Sequence, residues 1–455
     1  MATQNTFTII RRGAERLLHI AGDAPNGFQG ERAANGLHGP LNAHNARALR
    51  ETLPWTAPEL TGLRKSFGFG DRLGIATPGH LDALEAVQES GFFPVLPQQS
   101  MREMARARRS PQQVMDDVTW AVLETGYRGG FGCDADHVKT EAEIDRCIDA
   151  GFIGFTLDPG QYVYPAADTE NSAALQQHLA ELPWDILQSN PKDHRNLYVI
   201  GQAADTFSEE AYLRAAVKYG AALAQTARLH AHLRSRFGAI PFDLEVSVDE
   251  TDTPTTPEQH RFITLELHRL GIDFIGLAPR FVGDFYKGVD YVGDVDAFDK
   301  DYATHAAIAE SLGPYKLSVH SGSDKLAIYP YIQRRTPEYV HVKTSGTSWL
   351  EALRVIAKCA PGLFRRILDL AVDGYATNRQ SYHLDGRIER IPDVDDGALP
   401  TLLDDHHARQ VVHVAFGAVL ETYYDEVYAV LTEHTDAHRE GVRRHFEKHL
   451  APFRA

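Results

Sequence analysis

Seven side chains able to act on one small molecule are scattered along the sequence: Asp134, Asp136, His137, Glu245, Asp249, His320 and His341. Carboxylate oxygens and imidazole nitrogens suit a borderline or hard divalent cation such as Zn, Mn, Co or Ni. No two of them stand at a spacing diagnostic of a metal, so only elements that converge in space can make them one site. Taken singly, each histidine reads more readily as an ordinary hydrogen-bonded imidazole; three at strand ends together favour a cation. Arg72, Arg280 and Lys343 are candidates to hold the carboxylate of an anionic substrate, although each also suits an ordinary ion pair, and Asp249 is a further substrate contact.

Between about residue 70 and residue 347, short apolar segments alternate with helical patterns, the rhythm of repeated β/α units. Candidate strands cover 73–77, 93–96, 130–136, 152–158, 242–248, 274–280, 316–320 and 339–343, which is the eight that closes a (β/α)8 barrel of the TIM type. Within 242–249, Phe242, Leu244, Val246 and Val248 share one face, and Asp243, Glu245, Ser247 and Asp249 the other. A strand with one face in water reads the same way. Its neighbours shift the balance, because His320 and His341 fall on the polar sides of their strands and 130–137 ends in Asp134, Asp136 and His137. Polar groups at the C-terminal ends of strands are where this architecture assembles its chemistry.

Residues 1–60 predict a small β-containing extension from Phe7-Thr-Ile-Ile and Leu17-Leu-His-Ile, and 61–347 the α/β barrel itself. The stretch 165–237 is too long for one crossover and predicts a helical insertion ending near Gly238; 348–455 predicts a helical region packed on the barrel. Thr256, Pro257 and Gln259 combine a capping box with proline at the first helical position, and Gly271 closes that helix.

Other motifs read more plainly as structure, with a lid or partner contact left open for His406, His407 and His413. His230-Ala-His232 lies in a helical pattern, where residues two apart do not share a face, and His406, His407 and His413 belong to a helical region beginning near Asp404 or Asp405. Phe67-Gly-Phe-Gly-Asp-Arg-Leu-Gly74 lacks the third glycine of a dinucleotide fingerprint, and no phosphate-binding loop occurs, so no cofactor-binding motif of that kind is expected.

The 455 residues, 43% hydrophobic and 24% charged, contain no apolar run of the roughly 20 residues a membrane helix needs. A net charge of −16, from 46 basic against 62 acidic side chains, repels nucleic acid and anionic lipid at long range. Cys133, Cys147 and Cys359 are odd in number and widely spread, and the N-terminus lacks the basic start and apolar core of a secretory signal. A cytoplasmic enzyme on a small molecule is expected, without nucleic acid or membrane partners; a homo-oligomer is compatible with these residues.

Longer strings carry a resemblance. They are 66–80 (Ser-Phe-Gly-Phe-Gly-Asp-Arg-Leu-Gly-Ile-Ala-Thr-Pro-Gly-His), 132–139 (Gly-Cys-Asp-Ala-Asp-His-Val-Lys), 245–255 (Glu-Val-Ser-Val-Asp-Glu-Thr-Asp-Thr-Pro-Thr), 318–325, 341–348 and 413–417. As a set they resemble the tagaturonate/fructuronate epimerase family of hexuronate catabolism. The resemblance implies divalent-metal-dependent interconversion of the two keto-acids. With no dinucleotide fingerprint in the sequence to supply a hydride acceptor, retro-aldol chemistry is the expected route, with His137, His320 and His341 holding the cation and Asp136 and Glu245 moving the hydroxyl proton; Glu245 equally suits a fourth ligand. Alternatives are another metal-dependent sugar isomerase or class II aldolase, or a catalytically silent sugar-acid-binding barrel.

Overall fold

A computed structural model describes residues 5–12, 15–200, 207–344 and 346–454. Residues 1–4 and 13–14 of the extension, 201–206 of the insertion, Ser345 of the 341–348 string and the final residue lie outside the described residues. Apolar alternation near the N-terminus produces strands β1 (Thr6–Arg12) and β2 (Glu15–Ala21); with β3 (Glu31–Ala33) and β4 (Gly36–Pro40) they form an antiparallel sheet in the order β1-β2-β4-β3. Leu18, Ile20 and Leu37 bury one face of it against Leu49, Trp120 and Leu123 of two helices, Ala43–Thr52 and Pro111–Thr125.

Eight parallel strands close the barrel: β5 (Ser66–Phe69), β6 (Phe93–Ser100), β7 (Gly132–Val138), β8 (Gly154–Leu157), β9 (Asp243–Ser247), β10 (Gly276–Ala278), β11 (Lys316–Val319) and β12 (Val340–Thr344), which returns to pair with β5. Seven lie where the alternation places them. The first is a correction, since it runs over Ser66–Phe69 and not 73–77. Phe67 and Phe69 point out to the helices, Phe69 packing 5.3 Å from Phe446 of the C-terminal helix Thr435–Leu450, while Ser66 and Gly68 face the axis. A Cβ at Gly68 would stand 2.3 Å from the Gln98 amide, so glycine is required there and erases half the strand's pattern. The apolar residues at 73–76 enter a turn instead. Asp71 accepts from the backbone N–H groups of Leu73, Gly74 and Ala76 at 3.0, 2.8 and 2.7 Å, and the helix Thr77–Ala86 follows.

Between β8 and β9 stand the helices Ser172–Ala180, Pro191–Arg195 and Glu209–Phe237, the last stopped at Gly238 with φ +59°. His232 there pairs with Asp145 at 2.8 Å, and His230 is buried. The capping box at Thr256 and Gln259 is present, and Gly271 takes φ +67°. After β12 the chain is mostly helical, from Thr347–Cys359 through Thr435–Leu450, and one face of the last helix covers Thr77–Ala86. Among the described residues no helix is long and apolar enough to cross a membrane.

Candidate active site

Pleating puts every second residue of these strands into the barrel. On β9, Leu244 and Val246 face the helices while Asp243, Glu245 and Ser247 face inward; on β7, Cys133 and Ala135 join the core while Asp134 and Asp136 turn to the axis. Gly276 on β10 makes room, because a Cβ there would stand 3.0 Å from a Glu245 oxygen. Strict alternation would then turn His137 away. It does not, because the ladder of β7 with β8 shifts between Ala135 and Val138 and His137 takes φ +53°, a left-handed conformation costly for histidine. Both Asp136 and His137 thereby line one cleft of about 480 Å³, together with Asp249, Lys287, His320 and Lys343.

Lys343 is the electrostatic centre. Its ammonium lies 2.7 Å from Asp134, 2.7 Å from Asp136 and 3.1 Å from Glu245, and donates to Thr156 Oγ1. Burial alone would lower the pKa of Lys343, but these three carboxylates raise it well above the ordinary lysine value. Burial likewise opposes ionisation of Asp136 and Glu245, yet His137 and Lys343 hold Asp136, and Lys343 and His320 hold Glu245, well below the carboxylate range. For Asp134 burial wins and its pKa is raised.

Histidine geometry supplies the test for a cation. Asp136 Oδ1 lies 2.6 Å from His137 Nδ1, and Glu245 Oε1 lies 2.7 Å from His320 Nε2. With those nitrogens donating, His137 Nε2 and His320 Nδ1 are left, 3.9 and 2.9 Å from the same Asp249 Oδ1. His320 Nδ1 is buried without a hydrogen bond of acceptable geometry. Ligand atoms of His137, Asp249 and His320 all fall within 4.8 Å of one another. Imidazoles oriented by carboxylates on their far side, with free nitrogens converging on a third ligand, are the arrangement metal sites use. The residues therefore fit a divalent cation. A second trio, Asp324, His445 and His449, does not, because His449 accepts from the Asp324 backbone N–H at 2.8 Å and its other nitrogen lies 2.8 Å from the His445 carbonyl, leaving no free lone pair.

Other expected positions fall elsewhere. His341 is not with His137 and His320: it lies one inward step below Lys343 on β12, its Nδ1 2.9 Å from Ser66 Oγ, beside a separate cavity of about 30 Å³. Burial there lowers its pKa to about 3, so it is neutral. Asp249, expected as a substrate contact, lines the cleft and turns its carboxylate to both His137 and His320. Glu245 lines the small cavity and reaches the cleft only through His320 and Lys343. Arg280 does line the cleft, its guanidinium tied to the Thr251 carbonyl. Lys287, on the irregular segment after β10, is a cleft residue that alternation could not reveal; the only signal was a lone lysine among Gly283, Phe285, Tyr286 and Gly288.

Arg72 is buried away from the cleft lining, paired with Glu103 at 2.6 Å, donating to the His413 carbonyl at 2.8 Å and stacked on Phe416 at 3.9 Å. A Cβ on Gly346 would strike it at 2.2 Å. Arg72→Met therefore strands a buried carboxylate, and denaturant unfolding is expected to show a loss of about 3–5 kcal/mol. Intact stability with weakened binding of sugar acids would return Arg72 to the substrate site.

The sequence model described as "UxaE: tagaturonate epimerase" matches residues 1–453. This chain belongs to the tagaturonate epimerase family. Within the family, a protein of Thermotoga maritima named tagaturonate/fructuronate epimerase is 37% identical, the match covering 98% of this chain and 93% of that protein. Crystal structures of fructuronate-tagaturonate epimerase UxaE from Cohnella laeviribosi, one glycerol-complexed and one native, superpose with TM-scores of 0.90 and 0.88 at 32% identity, covering 98% of this chain and 93% of each. The barrel, the N-terminal sheet and the helical C-terminal region are thus the family's fold.

Proposed function

We propose that this chain interconverts D-tagaturonate and D-fructuronate in the cleft, with a divalent cation held by His137, Asp249 and His320. Family membership supports the substrate pair. One observation carries the cation: each imidazole commits one nitrogen to a buried carboxylate and turns the other toward the same Asp249 oxygen.

These keto-acids differ at a hydroxyl-bearing carbon β to the ketone, whose hydrogen the carbonyl does not acidify. Inversion there proceeds by breaking the bond to the neighbouring α carbon. The hydroxyl proton leaves, the O–H electron pair becomes the aldehyde C=O, and the carbon–carbon pair passes into an enediolate. The aldehyde turns its other face, and recombination reverses each movement. A divalent cation held by His137, Asp249 and His320 would supply positive charge that favours the enediolate. Asp136, the inward carboxylate that lines the cleft, accepts the hydroxyl proton; Lys343, shared by Asp136, Asp134 and Glu245, keeps that network neutralised as the proton moves. Glu245 orients His320 from beneath and is a positioning residue, a revision of its expected acid–base role.

The cation-loaded protein in D2O, followed by NMR, is expected to convert each keto-acid into the other without deuterium at the carbon α to the ketone and without free fragments. Deuterium uptake there would indicate enolisation, and accumulating aldehyde an aldolase. No conversion with Zn, Mn, Co or Ni would overturn the reading.

A further inference from the structure

The cations lining the cleft are not equivalent. Lys343 is enclosed by carboxylates, Arg102 pairs with Glu250 at 3.4 Å, and Arg280 is committed to the Thr251 carbonyl. Lys287, like Arg280, pairs with no carboxylate among the described residues, but its ammonium reaches a side chain of the cleft wall, donating to Ser321 Oγ at 2.7 Å. Ser321 follows His320 directly and holds φ +50°, so this contact brings the ammonium to the strand end that carries a proposed ligand. The segment bearing Lys287 is clamped on both sides. Lys325 donates to the carbonyls of Tyr286, at 2.8 Å, and Val289, at 2.5 Å, while Arg409 donates to that of Gly288 at 2.6 Å. Three backbone carbonyls in a four-residue stretch are thus fixed by buried or half-buried cations, which leaves a preorganised positive charge facing the cleft.

We infer that Lys287 binds the substrate's carboxylate. This rests on the epimerase reading, in which the carboxylate stands at the end of the keto-acid opposite the ketone. After cleavage it belongs to the aldehyde fragment, the piece that must turn while being retained. A lysine suits that task better than an arginine, because an ammonium is a point charge with rotatable donors and allows a carboxylate to pivot where a planar fork would fix it.

Glycerate and glycerol share a three-carbon skeleton and differ in the carboxylate, so they are the probes. Calorimetry on the cation-loaded protein is expected to show glycerate binding weakened about 10- to 100-fold by Lys287→Met, as for loss of one hydrogen bond between charged groups, with glycerol unaffected. KM for D-fructuronate should rise by a similar factor, and Lys287→Arg should recover much of the affinity while lowering kcat. Wild-type glycerate affinity in a Lys287→Met protein with an unchanged unfolding midpoint overturns the assignment, as does equal weakening of glycerol. If the wild-type protein fails to interconvert the keto-acids but Lys287→Met still loses glycerate alone, the proposed reaction falls and the carboxylate site stands.

Discussion

His320→Ala is expected to empty the cation site and to lower turnover by about a thousandfold or more, since a Lewis-acid cation supplies several kcal/mol of stabilisation to developing negative charge. Two links break together. Nδ1 is the proposed ligand atom, 2.9 Å from Asp249, and Nε2 is the atom by which Glu245 orients the ring. Elemental analysis of the dialysed protein, alongside the rate of interconversion, reads both effects. A variant that keeps a full complement of cation and the wild-type rate would remove His320 from the ligand set. His341→Ala, by contrast, is expected to retain the cation, because its imidazole faces Ser66 a layer below the cleft.

The second large effect is on stability. Lys343→Met leaves Asp134, Asp136 and Glu245 buried around a missing ammonium, and breaking such a cluster by removing one partner costs about 3–5 kcal/mol near neutrality. The pH dependence has a definite sign. In the wild-type protein Asp136 and Glu245 are held well below the ordinary carboxylate range, so they contribute stability that is present above the unfolded pKa and lost as pH falls through the folded one. Lys343 is raised above 10.5, so its contribution is intact below that value and lost at higher pH. In the variant the carboxylates lack their ammonium and take up a proton more readily. The deficit relative to wild type should therefore be largest at pH 7 and shrink as pH is lowered. Urea unfolding of both proteins at pH 7 and pH 5 measures it; equal stability at pH 7 would mean that the cluster is hydrated or protonated and that Lys343 is not its counter-charge.

Lys287 shows why part of the site is invisible before folding. Its neighbours Phe285, Tyr286 and Gly288 have no period, and what makes it functional is that Lys325 and Arg409, distant in sequence, grip the carbonyls beside it. Arg72 shows the converse. A cation in a glycine-rich string resembles a substrate ligand, but Glu103, Phe416 and the His413 carbonyl, each far along the chain, enclose it.

Alternation along strands, a purely local property, indicated seven of the eight barrel strands and the polar side on which Glu245, His320, His341 and Lys343 stand, because side-chain direction in a strand follows from the pleat. Caps at Thr256 and Gly271 were equally local, since their hydrogen bonds close within one helical turn. Depth and partnership were not local. Whether an inward histidine meets the cleft or a deeper layer depends on strand stagger, which places His341 opposite Ser66 and Ser318. His137 faces the cleft only because the β7 ladder slips at a left-handed residue, and β5 lies at Ser66–Phe69 because Phe446 and Gln98, supplied from elsewhere in the chain, complete its two faces. Tertiary structure decided these points because each is a distance between segments that share no turn, and such distances exist only after the barrel has closed.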